Sequence, residues 1–133
     1  MEADMKINHL LPWNFEAKLR DFQKPDSKLL EFTPAIDIQN CEDESFDLVL
    51  AYEVPYDLTE VRRVMKPGGY FFTQQRGGRD EGPEPSPADY NLENQCPVIA
   101  EAGFRIMYRH QAYTMAEHLE HRFIIIAQKR KQA

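Results

Sequence analysis

The stretch from Ser45 to Gly78, SFDLVLAYEVPYDLTEVRRVMKPGGYFFTQQRGG, constrains the fold most, because it reads as one complete strand–helix–strand unit. Phe46 to Leu50 (FDLVL) is an apolar run of strand length. Asp57 can cap a helix, and Glu60 three residues later gives a capping-box pattern with Asp at the cap. Leu58, Val61, Val64 and Met65 then share one helical face, with Arg62, Arg63 and Lys66 on the other side. Pro67-Gly68-Gly69 is expected to stop that helix and turn the chain, and Tyr70 to Gln75 to run out as a second strand. A crossover of this length implies a parallel pair with a right-handed connection. The fold class is therefore α/β.

The flanking sequence supplies further elements. After an irregular lead from Met1 to Pro12, Trp13 to Gln23 is amphipathic, with Phe15, Leu19 and Phe22 at helical spacing and Asn14 placed to cap. Lys28 to Phe32 reads as a short strand, followed by Thr33-Pro34 and a second short extended piece from Ala35 to Ile38. The acidic loop Glu42-Asp43-Glu44 leads into FDLVL. The run RDEGPEPSPAD after Gly78 is expected to be a surface loop. Asn91 caps a helix from Leu92 to Ala102, stopped by Gly103. Phe104 to Tyr113 and Arg122 to Gln128 read as an antiparallel strand pair, separated by a polar turn or helical piece from Met115 to Glu120. At 133 residues the chain is one domain, with a lead and helix over 1–27 and an α/β core over 28–133.

Composition excludes several classes of function. No apolar run approaches the ~20 residues that cross a bilayer, and the N-terminus lacks the order of a secretory signal, so a cytoplasmic protein with no membrane partner is expected. A formal net charge of -6 argues against nucleic acid as a partner, and the basic tail Lys129-Arg130-Lys131 reads as a solvated terminus. Cys41 and Cys96 have no metal-binding or CxxC spacing and are expected to be free thiols.

FDLVL, followed by a helix ending in RVMKPGGYFF, resembles the second half of a class I S-adenosylmethionine-dependent methyltransferase. TQQRGG, NLENQ…IAEAGFRI and HRFIIIAQK are similar to one bacterial branch of small-molecule-type methyltransferases, so the resemblance covers most of the chain from about Ala35 onward. It implies a truncated Rossmann-like sheet, mostly parallel with a C-terminal antiparallel pair, of about five strands flanked by helices. It also implies S-adenosylmethionine as cofactor and methyl transfer to a small-molecule acceptor. One departure stands out. The family follows its first strand with a glycine-rich loop, broadly (D/E)xGxGxG, whereas here Thr33-Pro34-Ala35 follows and no glycine precedes Gly68. The family's second strand, with its ribose-binding acid, has no counterpart. The alternative is accordingly a non-catalytic methyltransferase-fold relic that serves as a protein-interaction or homodimerisation module through an exposed sheet edge. In the family's spatial order, Leu29 to Phe32 would cover the free edge of FDLVL.

The resemblance also nominates residues. Glu31 matches the acid at the end of the family's first strand, and Asp37 lies near the place of an acid that contacts the adenine amino group. Tyr52 and Glu53 follow FDLVL, where the related branch has an Asn-Arg-His type sequence and where ligands of open α/β sheets collect. These four are the cofactor-binding candidates. Gln74 and Gln75 end the next strand on the same rim and are the substrate-facing candidates. The plain alternatives are a surface carboxylate for Glu31, a loop cap for Asp37 and a solvated carboxylate for Glu53. His118 and His121 are three apart and could share a helical face, but no acid or cysteine stands at ligand spacing, so no metal site is expected. No Ser-His-Asp or Cys-His nucleophile pattern is present, and the sequence identifies no catalytic residue.

Overall fold

Two strands, FDLVLAY and the FIIIA segment, are apolar at nearly every position, as strands covered on both faces must be. The computed structural model describes residues 11–33, 37–82, 87, 90–115 and 117–131. In it these two segments sit inside one five-stranded sheet of order β1-β2-β3-β5-β4. The strands are β1 (Leu29–Glu31), β2 (Phe46–Tyr52), β3 (Met65–Arg76), β4 (Phe104–Met115) and β5 (Leu119–Lys129). Among the described residues the helices are α1 (Phe15–Phe22), α2 (Leu58–Val64) and α3 (Leu92–Glu101), with one 3-10 turn at Ile38–Asn40. β1, β2 and β3 run parallel, and β5 is antiparallel to both β3 and β4. This is the α/β sheet that the sequence implied.

Alternation divides the core in two. Val49, Ala51, Phe71, Phe123 and Ile125 face Val61 and Val64 of α2 and Ile99 of α3. Leu48, Leu50, Phe72, Ile124 and Ile126 face Trp13 and Phe15 on the other side, where α1 packs. Asn14 caps α1 through the Ala17 N–H, Asp57 caps α2 through Thr59 and Glu60, and Asn91 caps α3 through Asn94. Glu60 turns to Arg63 Nε at 2.6 Å, so the pattern at Asp57 works as a cap joined to an ion pair.

Several boundaries differ from the sequence reading, each for a physical reason. α2 ends at Val64 and the chain is already extended at Met65, which pairs with Phe46; the next pairing is Leu48 with Tyr70. Lys66 to Gly69 therefore bulge out of a continuous strand and do not form a free turn. Gly68 has φ +84°, and a Cβ on Gly69 would lie 2.8 Å from the Asp47 carbonyl oxygen. Asp47 also accepts a bond from the Lys28 N–H at 2.8 Å, which ties β1 to the same junction.

The C-terminal hairpin is longer than read. β4 reaches Met115 and β5 starts at Leu119, so only residues 116–118 separate the two strands. Glu120, expected in the turn, and His121 are instead buried in β5, which starts before Arg122, and Glu120 pairs there with Arg122. Lys129 is not a solvated tail residue. It ends β5, buried, and its Nζ donates to the carbonyls of Arg62 at 2.8 Å and Met65 at 2.7 Å. Asp80, read as part of a surface loop, is also buried. Ile38 lies in the 3-10 turn and not in an extended piece, while Ala35 and Ile36 are outside the described residues. So are residues 1–10 of the lead and 83–86, 88 and 89 of the acidic loop.

β1 covers the edge of β2 as expected, with Glu31 level with Leu50. The outer strands then limit edge pairing: β1 has three residues, and β4 is interrupted between Ile106 and Tyr108. Gly69→Ala is expected to lower stability by about 1–3 kcal/mol through forced displacement of the β2–β3 junction. Urea unfolding would measure this, and an unchanged midpoint would contradict the close packing of Gly69 on Asp47.

Candidate functional site

Polar residues end the apolar centres of β2, β3 and β5 on one rim, at the carboxyl ends of the parallel strands. Gln74 and Gln75, adjacent in β3, face opposite sides of the sheet. Gln75 lies on the α2–α3 side, where its Nε2 donates to the Val54 carbonyl at 3.0 Å and to Thr73 Oγ1 at 2.9 Å. Gln74 lies on the α1 side. It accepts from Trp13 Nε1 at 2.9 Å and donates to Glu53 Oε2 at 3.0 Å. Both amides are buried.

Glu53 has φ +51°, an unusual conformation for a residue with a side chain, and it bends the chain sharply at the end of β2. The bend sends its carboxylate to Arg122, whose Nε is 3.2 Å from the same Oε2. Arg122 is the centre of the rim, with a side chain only 3% exposed. Its Nη1 is 2.6 Å from Asp80 Oδ1 and 3.3 Å from Glu120 Oε2. Asp80 Oδ1 also accepts from the His121 N–H at 3.0 Å, and Glu120 Oε1 lies 2.8 Å from His118 Nε2. A continuous polar chain thus runs from Trp13 through Gln74, Glu53 and Arg122 to Asp80, Glu120 and His118.

Proton affinities follow from this geometry. Burial alone would lower the Arg122 pKa, but Glu53, Asp80 and Glu120 raise it above its ordinary value. Burial and the hydrogen bond with Asp80 both raise Glu120. Asp80 is pushed up by burial, yet its bonds with Glu120, the His121 N–H and Arg122 bring it below the ordinary value. Glu120 is therefore the member of this carboxyl pair that holds a proton more readily. Burial, and then Arg79, depress His121. Its Nδ1 accepts from the Arg79 N–H at 3.2 Å and its ring stacks on Tyr113 at 4.5 Å. A Cβ on Gly77 would lie 2.1 Å from that ring, so only glycine fits there.

The structure gathers some of the candidates and separates others. Glu31 is exposed at the end of β1, beside β2. Tyr52 ends β2 half-buried, its ring edge-on to Phe15 at 5.1 Å. With Glu53 and Gln74 these share the carboxyl rim. Asp37 does not. It precedes the 3-10 turn, whose Ile38 carbonyl accepts from Arg63 in the last turn of α2, near the amino ends of the strands. Open cavities of about 840 and 650 Å³ also lie at that amino end, the first lined by Glu44, Arg62, Arg63 and Lys129 and the second by Arg105 and Lys131.

Sequence spacing missed Trp13, Asp80, Glu120 and Arg122. His118 pairs with Glu120, Asp80 lies within 4.8 Å of both, and His121 lies on the opposite face of the sheet from Glu120. A charged triplet interrupting an apolar strand was the available signal.

No protein-family profile and no curated protein sequence matches the chain. Solved structures do. A SAM-dependent methyltransferase from Methanosarcina mazei superposes with a TM-score of 0.65 at 15% identity, over 86% of this chain and 98% of that one. A SAM-dependent methyltransferase from Thermotoga maritima gives 0.58 at 13% identity, over 87% and 88%. The [4+2]-cyclase SpnF gives 0.57 at 16% identity, over 73% of this chain and 55% of its own. The chain has the class I methyltransferase fold, and the cyclase illustrates that this fold hosts more than one chemistry.

Arg122→Met is expected to destabilise by about 3–5 kcal/mol, because it strands buried carboxylates without their cation. Glu53→Gln, which keeps the bond with Gln74, is expected to cost much less; equal losses in urea unfolding would contradict the central place of Arg122. His121 gives the acid dependence. Its folded pKa lies below its unfolded value of about 6.5, so its contribution is complete above that pH and is lost as pH falls toward the folded pKa. His121→Gln should flatten this part of the melting-temperature profile relative to wild type, in a setting that also holds Arg79, Asp80, Glu93 and Arg122.

Proposed function

We propose that this chain is an S-adenosylmethionine-dependent methyltransferase acting on a small-molecule acceptor. The observation that carries the reading is the registry of β1 and β2, which sets Glu31 and Tyr52 at adjoining carboxyl ends of a methyltransferase-type sheet. Ligands of open α/β sheets collect at such ends. The donor set suits an adenosyl group. Glu31 offers a solvent-facing carboxylate to hydroxyl or ammonium groups, and the Tyr52 ring, edge-on to Phe15, offers an aromatic surface to a planar base.

When bound, the cofactor supplies the activated methyl group on its sulfonium. The chain's own residues supply position and dryness. Trp13 and Arg122 fix Gln74 and Glu53 from either side, so the rim has no reorganisation left to make when a ligand arrives. Phe15 of α1 packs on Tyr52 and Phe72 and keeps water from that side of the sheet. No catalytic base is needed where the acceptor is already nucleophilic.

One observation favours the second reading, a non-catalytic relic that associates with protein or with its own copy. Both amide atoms of Gln74, and the Oε2 of Glu53, are satisfied by the protein itself. Calorimetric titration with S-adenosylmethionine and S-adenosylhomocysteine, alongside mass in solution, separates the two. Micromolar binding is expected, weakened about tenfold or more in Glu31→Gln, in line with the ~1.5–3 kcal/mol of a charged hydrogen bond. No binding at millimolar ligand would overturn the methyltransferase reading, and a dimer in the same sample would favour the relic.

A further inference from the structure

Asp80, His118 and Glu120 each offer one ligating atom, and these atoms lie within 4.8 Å of one another. We infer that they form a binding site for a divalent transition-metal ion, zinc(II) above all. This is independent of any adenosyl ligand on the rim.

Orientation is the first argument. Each carboxylate gives one oxygen to Arg122, Oδ1 of Asp80 at 2.6 Å and Oε2 of Glu120 at 3.3 Å. The other oxygens face His118: Oε1 of Glu120 is 2.8 Å from its Nε2. Asp80 Oδ2 and His118 Nε2 lie together beside Gly82, whose N–H donates to that Oδ2 at 3.1 Å. The guanidinium and the Gly82 N–H thus hold the carboxylates as outer partners hold metal ligands. Charge is the second argument. Glu53, Asp80 and Glu120 set three carboxylates around the single guanidinium of Arg122. With all three ionised, as carboxylate ligands of a metal must be, the surplus is two negative charges, which one divalent cation cancels.

A third observation lies outside the cluster. Thr114 is directly opposite Glu120 in the β4–β5 ladder, so their side chains share a face. Its Oγ1 is buried and has no hydrogen-bond partner among the described residues. A water held by an ion beside Glu120 would satisfy it. His118, with its side chain 32% exposed against 1% for Asp80 and 6% for Glu120, provides the way in from solvent. One imidazole and two carboxylates suit zinc, whose sites often take three protein ligands and keep a position open. Magnesium and calcium prefer all-oxygen shells.

The test uses the whole chain, stripped with chelator and titrated with zinc against a chromophoric competitor. Cobalt(II) is then substituted to report the ligand set. One equivalent of zinc is expected at micromolar affinity, with cobalt d–d bands and no thiolate charge-transfer band. His118→Ala and Glu120→Gln are each expected to weaken binding by more than about tenfold, the loss that even outer-sphere changes produce. Glu120→Gln keeps the shape of the side chain, and zinc should raise the melting temperature of wild type but not of this variant. The site is overturned by no binding, by affinity unchanged in both variants, or by a thiolate band that assigns the metal to Cys41 or Cys96.

Discussion

Arg122 is the constraint around which this molecule is arranged. A guanidinium cannot lose its proton, so burying it obliges the fold to bring anions to it. Three arrive from three places: Glu53 from the bend after β2, Asp80 from the loop after β3, and Glu120 from β5 itself. Each fixes something else. Glu53 takes a left-handed backbone to reach it, Asp80 pulls its loop under the hairpin through the His121 and Gly82 N–H groups, and Glu120 keeps β5 in register past its apolar centre. Burying such a group is a weak source of net stability, because desolvation offsets much of the attraction. What it secures is one arrangement of three chain segments.

Local sequence carried the elements whose cause is local. Asn14, Asp57 and Asn91 cap the helices they precede, and two-sided burial explains why FDLVL and FIIIA are unbroken apolar runs. Failures came where a distant residue decides the outcome. Glu120-His121 has the composition of a turn, yet in β5 Glu120 is buried beside Arg122, which Asp80 and Glu53 also reach. Lys129 has the composition of a tail, and only the open carbonyls at the end of α2 make it a buried anchor. KPGG suggested a stop, and the pairing of Met65 with Phe46 turns that stop into a bulge. The rim was legible through Glu31, Tyr52, Glu53 and Gln74. Trp13 and Arg122, which hold it, were not, since neither lies near it in sequence.

The short connection between β1 and β2 accounts for the form of that rim. Only residues 32–45 separate the two strands, and among the described residues of that connection there is a 3-10 turn and no further strand or helix pair. Unpaired polar groups at the end of a buried strand are costly, and something else must satisfy them. Trp13 reaches Gln74 from one side and Arg122 reaches Glu53 from the other. A rim completed in this way has the polar groups of Gln74 and Glu53 partnered within the chain itself. At the ends of β1 and β2, Glu31 is exposed and Tyr52 is half-buried, so these two strand ends differ from the buried ones of β3 and β5.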